Sequence, residues 1–369
     1  MEEGLKKTPL NSVHKRLGAK LVGFAGWEMP LQFSGIIDEH LSVRSSAGVF
    51  DVSHMGRIEI RGEKAASLVQ RLTTNDVAKM GNGQVHYSLL CYPDGGIVDD
   101  ITVYKIEDDR FMLCANAVNK DKDFSWIREN NKEKADIIDT SDESCQLAVQ
   151  GEKAEEVLQK LSDTKLSSLG YFCFGTVKID GVEAIVSRTG YTGEDGFEIY
   201  FSHSKAEKIW DAVFEAGERF NIKPVGFGAR DTLRIEMKYL LYGNDIDSKT
   251  TPLEAGVGWA VKLGKGDFIG KEVLLRQKEK GVTKKLIGFE LIDRGIPRSG
   301  YPLYDKDVKV GTVTSGIMSP SLKKPVGMGY LDIGYSNIDT VFDVEIRGKR
   351  VKAKVVQTPF YKSRVKAGH

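Results

Sequence analysis

Ile60-Arg61-Gly62-Glu63-Lys64-Ala65, followed by Leu68, Val69, Gln70, Arg71 and Leu72, has a near copy in Val149-Gln150-Gly151-Glu152-Lys153-Ala154, followed by Val157, Leu158, Gln159, Lys160 and Leu161. In both, a strand-like segment runs through glycine into apolar residues at i, i+3, i+4 and i+7, the stripe of an amphipathic helix. A looser third copy has Phe197, Ile199 and Phe201 on one face of a strand, then Ala206, Ile209, Trp210 and Val213 at helical spacing. Three strand-then-helix units without a fixed short period predict an α+β body and not a solenoid. After Lys285 the pattern changes to short β-type segments, 286–291, 308–317, 326–333 and 341–356, separated by Gly, Pro and Ser. Residues 345–356 read as a hairpin around Gly348-Lys349. The C-terminal part is therefore expected to be a separate all-β, barrel-like domain, with the basic stretch 278–285 as its linker.

A chain of 369 residues suffices for two or three domains of roughly 100 to 150 residues each. Its 41% hydrophobic and 28% charged residues lie near globular averages, which excludes disorder and fibrous repeats. Lys and Arg number 53 against 52 Asp and Glu, so no net field draws a polyanion and nucleic acid is not an expected partner. No run of about 18 apolar residues could span a bilayer, and no membrane partner is expected. The N-terminus lacks the apolar core of a secretory signal and opens with Glu2 and Glu3, unlike a transit peptide. The four cysteines, Cys91, Cys114, Cys145 and Cys173, form no C-x-x-C pair and read as free thiols in a reducing cytoplasm.

Several familiar motifs are missing. Residues 264–271 carry misplaced glycines for a phosphate loop, and Glu272 stands where Ser or Thr would hold magnesium. There is no G-x-G-x-x-G after a strand and no G-x-S-x-G elbow. The histidines His14, His40, His54, His86, His203 and His369 form no i,i+4 pair or Cys/His cluster, so no metal is expected. Chemistry is left to carboxylates, polar anchors and a bound small molecule.

The stretch Gly95 to Tyr104 reads as a glycine turn feeding a strand. Alternation puts Asp99 on a face with Ile97, Ile101 and Val103, where an unpaired carboxylate is costly and needs a partner, a ligand or a chemical role. A cap or salt bridge to a neighbouring element accounts for it equally well. Asp100 shares the more tolerant face of Val98, Thr102 and Tyr104. The loop Thr189 to Gly196 has the glycines that let a backbone and the Tyr191 ring approach a ligand. It enters a strand in which Glu198 points with Gly196 and Tyr200, away from the apolar face, so periodicity alone makes Glu198 an ordinary solvated glutamate. In a helix expected over 229–241, Arg230 lies one turn before Leu233. A ligand acceptor or a structural salt bridge would satisfy it equally. Residues 242–247 form a polar, turn-rich loop with no assignable chemistry.

Taken in order, residues 24–30 (FAGWEMP), 50–56 (FDVSHMG), 95–100, 188–198, 229–231 and 241–247, with 312–316 and 319–324 near the C-terminus, resemble the T-protein, or aminomethyltransferase, family of the glycine cleavage system. The resemblance runs from near Thr8 to the C-terminus. It implies three domains around a central folate cavity: a first domain in two parts (residues 1–50 and 141–278), a ferredoxin-like second (51–140) and a barrel-like third (286–369). It implies tetrahydrofolate as one-carbon acceptor, with neither metal nor dinucleotide, and a lipoyl-bearing H-protein as partner. The reaction implied moves the methylene of an aminomethyl group on the dihydrolipoyl arm to tetrahydrofolate, giving 5,10-methylenetetrahydrofolate and ammonia. By the same resemblance Asp99 is the catalytic acid, Glu198 the pterin anchor and Arg230 the substrate-orienting arginine. Met55, Asn116 and Tyr191 are cavity-lining, and Arg364 is matched to the folate's glutamate tail. A relative of this fold that maintains iron–sulfur proteins carries cysteine where Asp267 stands here, which disfavours that alternative. An intact Asp99 argues against a folate-binding protein without activity.

Overall fold

The computed structural model describes residues 4–366; residues 1–3 and 367–369, including Glu2, Glu3, His369 and the outer ends of the first and last expected domains, lie outside the described residues. The two near copies in the sequence become the same unit twice. Strand Gly56–Arg61 turns at Gly62 into helix Ala65–Leu72, and strand Ser144–Gln150 turns at Gly151 into helix Ala154–Gln159. Both glycines have positive φ, 94° and 126°, a region open to them because they lack Cβ. The third unit is strand Gly196–Ser202 followed by helix Ala206–Gly217.

Each near copy heads its own sheet. Gly56–Arg61 belongs to a five-stranded antiparallel sheet in the order Gln84–Cys91, Ile97–Glu107, Arg110–Ala115, Gly56–Arg61, Asp136–Asp139. Ser144–Gln150 belongs to a six-stranded sheet in the order Phe174–Ile179, Val182–Ser187, Gly196–Ser202, Ser144–Gln150, Gly48–Asp51, Lys223–Pro224. Gly48–Asp51 thus pairs with a strand far along the chain.

One face of each sheet is covered by helices. Leu68, Val69, Leu72, Trp126 and Ile127 pack on Ile58, Ile60, Ile101, Val103 and Leu113. Val157, Leu158, Ile209, Trp210 and Val213 pack on Leu147, Val149, Phe197, Ile199 and Phe201. Each such buried side chain contributes about 1.5 to 3 kcal/mol before entropy is counted. The uncovered faces turn toward each other, meeting where Tyr104 and Tyr200 share a hydroxyl hydrogen bond of 2.8 Å.

A bulge corrects the alternation expected for residues 97–104. Leu90 faces Asp99 but Cys91 faces Ile97, leaving Val98 as an extra residue. Val98 therefore joins Ile101 and Val103 under the helices, while Ile97 packs with Leu89 and Cys91 on the other side.

The C-terminal part closes as a six-stranded barrel, Lys284–Leu291, Pro325–Asp332, Val308–Met318, Pro302–Asp305, Val341–Ile346 and Lys349–Val356, which leaves no free sheet edge. The hairpin turns on Arg347 and Gly348, both at positive φ, one residue earlier than expected. The stretch expected as a linker, 278–285, is instead the end of helix Lys271–Lys280, a turn at Gly281 and the start of the first barrel strand. Helix Phe227–Glu236 is shorter than expected, and Lys238 leaves it at φ 56°. No helix among the described residues is long and apolar enough to cross a membrane.

Candidate active site

Between the two sheets, closed on one side by residues 237–262 and by Thr358 and Pro359 just after the last barrel strand, lies a cavity of about 1310 Å³. Met55, Asn116, Tyr191, Glu198 and Arg230 all line it, from four separate stretches of chain. Glu198 stands on the face expected to be solvated, but the facing sheet covers that face and leaves Tyr200 only 5% exposed. Its Oε1 accepts from Gln146 Nε2 at 3.1 Å and its Oε2 from Thr189 Oγ1 at 2.6 Å. These donors fix the carboxylate, and no cation within 4.0 Å neutralises it among the described residues. Beside it, the Cys114 thiol is pushed up to about 11 by burial and the Glu198 charge, so it is a neutral wall.

Arg230 stacks on the Tyr191 ring, 4.6 Å from its centroid, and forms no ion pair among the described residues. The salt-bridge alternative is thus absent there, and an arginine, charged at any working pH, is left facing the cavity. Tyr191 donates its hydroxyl to the Leu240 carbonyl and stacks on Tyr239 with 26° between planes. The ring is held flat against the cavity by both contacts.

The two aspartates take the faces that alternation assigns them, and the one that meets the cavity is Asp100. Asp99, with 0% exposure, does not line the cavity. It faces the helix side, and its Oδ2 accepts from Asn116 N at 3.0 Å while Oδ1 accepts from Asn116 Nδ2 at 2.9 Å and Asn119 Nδ2 at 2.5 Å. Asp100 lines the cavity, accepting from Tyr87 Oη at 3.1 Å and from Asn116 Nδ2 at 2.9 Å. Burial first, then the charge of Asp99, pushes the Asp100 carboxyl up to about 7. Asn116 bridges the pair.

Arg364 is not at the cavity wall. Its N–H donates to Gly193 O at 2.8 Å and its Nη1 to Arg44 O at 3.1 Å, so it braces the back of the Thr189–Gly196 loop. Several lining residues carry no signal in the sequence that marks them out. His54 is buried between the edges of Phe24 and Phe227, and burial holds it down at about 3, a neutral imidazole. It belongs to the FDVSHMG stretch, but nothing in local spacing separates it from Met55. Trp259, 61% exposed, stacks on Tyr87 at the cavity rim. The polar loop 242–247 proves to be structural as well as lining. Tyr242 faces the cavity, and Asp245 accepts from Arg234 Nη1 at 2.6 Å, Thr314 Oγ1 at 2.5 Å and Ser315 Oγ at 2.8 Å.

Residues 10–265 match the family described as the GCVT N-terminal domain, and residues 284–362 match the glycine cleavage T-protein C-terminal barrel domain. The chain belongs to the glycine cleavage T-protein family. Aminomethyltransferases from Geobacillus sp. (strain WCH70) and Alkaliphilus oremlandii are similar to it at 50% and 51% identity, over 97% of this chain and 99% and 98% of theirs. Among solved structures, the glycine cleavage system aminomethyltransferase T from Bartonella henselae superimposes with a TM-score of 0.92 at 35% identity, covering 98% of this chain and 99% of that one. The T-protein fold, two facing sheets with a C-terminal barrel, is thus the architecture of this chain. Four free thiols and no cluster of three or more metal-ligating side chains are found among the described residues.

Proposed function

We propose that this aminomethyltransferase of the glycine cleavage system moves the methylene of an aminomethyl group, carried on the dihydrolipoyl arm of an H-protein, to tetrahydrofolate, with release of ammonia, in the cytoplasm. The observation that carries this reading is the pairing, across one cavity, of a carboxylate anchored from behind with an arginine that has no ion-pair partner among the described residues. Glu198 keeps lone pairs free toward the cavity, which suits the adjacent ring N–H and amino groups of a pterin. Met55 and Tyr191 supply soft and aromatic surface for the flat rings. Arg230 orients a negative or carbonyl oxygen, and Arg364 serves the site by bracing the Tyr191 loop.

Bound tetrahydrofolate supplies the nucleophilic nitrogens. Overall, the carbon–sulfur and carbon–nitrogen bonds of the aminomethyl group break and two carbon–nitrogen bonds form. The two protons displaced from the acceptor nitrogens end on the thiol sulfur and on ammonia. Asp100 is the carboxyl placed to take and return a proton inside the cavity, because its pKa near 7 keeps both forms populated. Asp99 acts from behind it, through Asn116 and through its charge. Tyr87 and Asn116 hold the Asp100 oxygens in place.

The test is ammonia release from aminomethylated H-protein with and without tetrahydrofolate. Folate-dependent release is expected, and none with free glycine in place of the H-protein. Release that ignores folate, or none at all, would overturn the proposal.

A further inference from the structure

Helix Lys120–Glu129 covers the back of the strand that carries Asp99 and brings a third carboxyl, Asp123, to the same place. Asp123 is 0% exposed, and neither of its oxygens meets a hydrogen-bond donor among the described residues. Its carboxyl abuts that of Asp99. Two ionised carboxylates cannot share a dry site, and one proton between them removes both the repulsion and the missing donor.

The surroundings decide which of the two holds the proton. From the helix, Lys122 faces both carboxyls while donating to the Val98 carbonyl and to Tyr242 Oη at 3.1 Å. Tyr87 donates to Asp100 at 3.1 Å, while Tyr92 and Tyr242 feel the charge of Asp123, Tyr242 also that of Asp99, and Tyr191 that of Asp100. Asp99 and Asp123 thus share one ammonium. Asp99 has three N–H donors and keeps the charge; Asp123 has none among the described residues.

We propose that Asp123 is a positioning residue: it stays protonated, donates to Asp99, and so keeps Asp99 as the charged neighbour that sets the protonation of Asp100 at the cavity wall. The proposal rests on the reading of Asp100 as the group that moves protons there. In keeping with it, burial and the charge of Asp99 raise the Asp123 carboxyl well above the usual range, and burial raises Asp99 as well. Without the Asp123 donor, Asp99 takes up a proton more readily and loses its charge. Asp100 then loses its repelling neighbour and its pKa falls.

The experiment is the pH dependence of single-turnover ammonia release, with saturating tetrahydrofolate and aminomethylated H-protein, in the parent, Asp123→Ala and Asp123→Asn. The parent is expected to show a limb near neutrality. Asp123→Ala should move that limb toward acid by about one pH unit, the scale on which a neighbouring charge moves a carboxyl. Asp123→Asn, which still offers an N–H to Asp99, should return the limb to the parent's position. An unmoved limb in Asp123→Ala, or a limb equally displaced in both variants, overturns the proposal. A parent without folate-dependent release at any pH overturns the reading of the site instead. If the alanine variant does not fold, infrared spectroscopy decides. The parent at mildly alkaline pH should show the carbonyl band of a buried protonated carboxyl, and Asp123→Asn should lack it. Absence from the parent, or persistence in Asp123→Asn, again overturns the proposal.

Discussion

Adjacent residues on one strand, Asp99 and Asp100, have opposite surroundings. Replacing Asp100 by Asn keeps its shape and removes its proton-accepting capacity, so folding and folate binding should persist while turnover falls about 10²- to 10⁴-fold, the usual share of general acid–base help. Single-turnover ammonia release and folate titration measure the two separately. Asp99→Asn should behave differently. Three N–H donors converge on its oxygens, so an amide nitrogen there sets donor against donor, costing about 1 to 3 kcal/mol of stability in a urea titration. The raised Asp100 pKa also has a thermal signature. A carboxyl that binds its proton more tightly when folded favours the folded state at low pH, and this contribution is lost as pH rises from 3.8 through about 7. Asp100→Asn should therefore lose less of its Tm than the parent between those limits. Glu198→Ala should leave Tm nearly unchanged and weaken tetrahydrofolate binding by about 2 to 4 kcal/mol, the scale of two charge-assisted hydrogen bonds to a partly buried carboxylate. Unaltered affinity by calorimetry would remove Glu198 from the proposed pterin site.

At the level of elements, the site depends on a loop and a bulge more than on regular strands. The loop Thr189–Gly196 carries Tyr191 and is pressed between Arg364 behind it and the end of helix Phe227–Glu236 in front. At Gly193 the backbone has φ 78°, and an added Cβ would overlap the Met237 side chain. Gly193→Ala should therefore both strain the backbone and push Met237 away, at a cost of about 1 to 3 kcal/mol. Because Met237 follows the helix that bears Arg230, folate affinity should fall together with Tm. A variant with lowered Tm and full affinity would show that loop and helix move independently. The Val98 bulge matters in another way, since it turns Ile97 away from the helix side that Asp99 shares with Ile101 and Val103 and gives that side Val98 instead.

Across the whole molecule, buried polar groups join the barrel to the sheets. Asp245 binds Arg234 of the helix together with Thr314 and Ser315 of the barrel. Glu236, at the end of the same helix, accepts from Arg44, Ser319 and Ser321. Asp245→Ala leaves Arg234 with only the Asp231 carboxylate, so a loss of about 3 to 5 kcal/mol is expected in denaturant unfolding. A loss below about 1 kcal/mol would show that apolar contacts alone hold the barrel. By itself the sequence determined the strand–glycine–helix units, the change to a β-only C-terminal part, and the residue types at Tyr191, Glu198 and Arg230, because periodicity and turn residues are local. Tertiary structure alone decided which carboxylate meets the cavity, that the polar face bearing Glu198 is covered, that Arg364 braces a loop, and that residues 242–247 lock the barrel. The physical reason is that alternation assigns a side chain to a face but cannot say what lies against that face. One extra residue in a bulge reverses the assignment of Ile97, and contacts such as Tyr104 with Tyr200 join residues far apart in the chain.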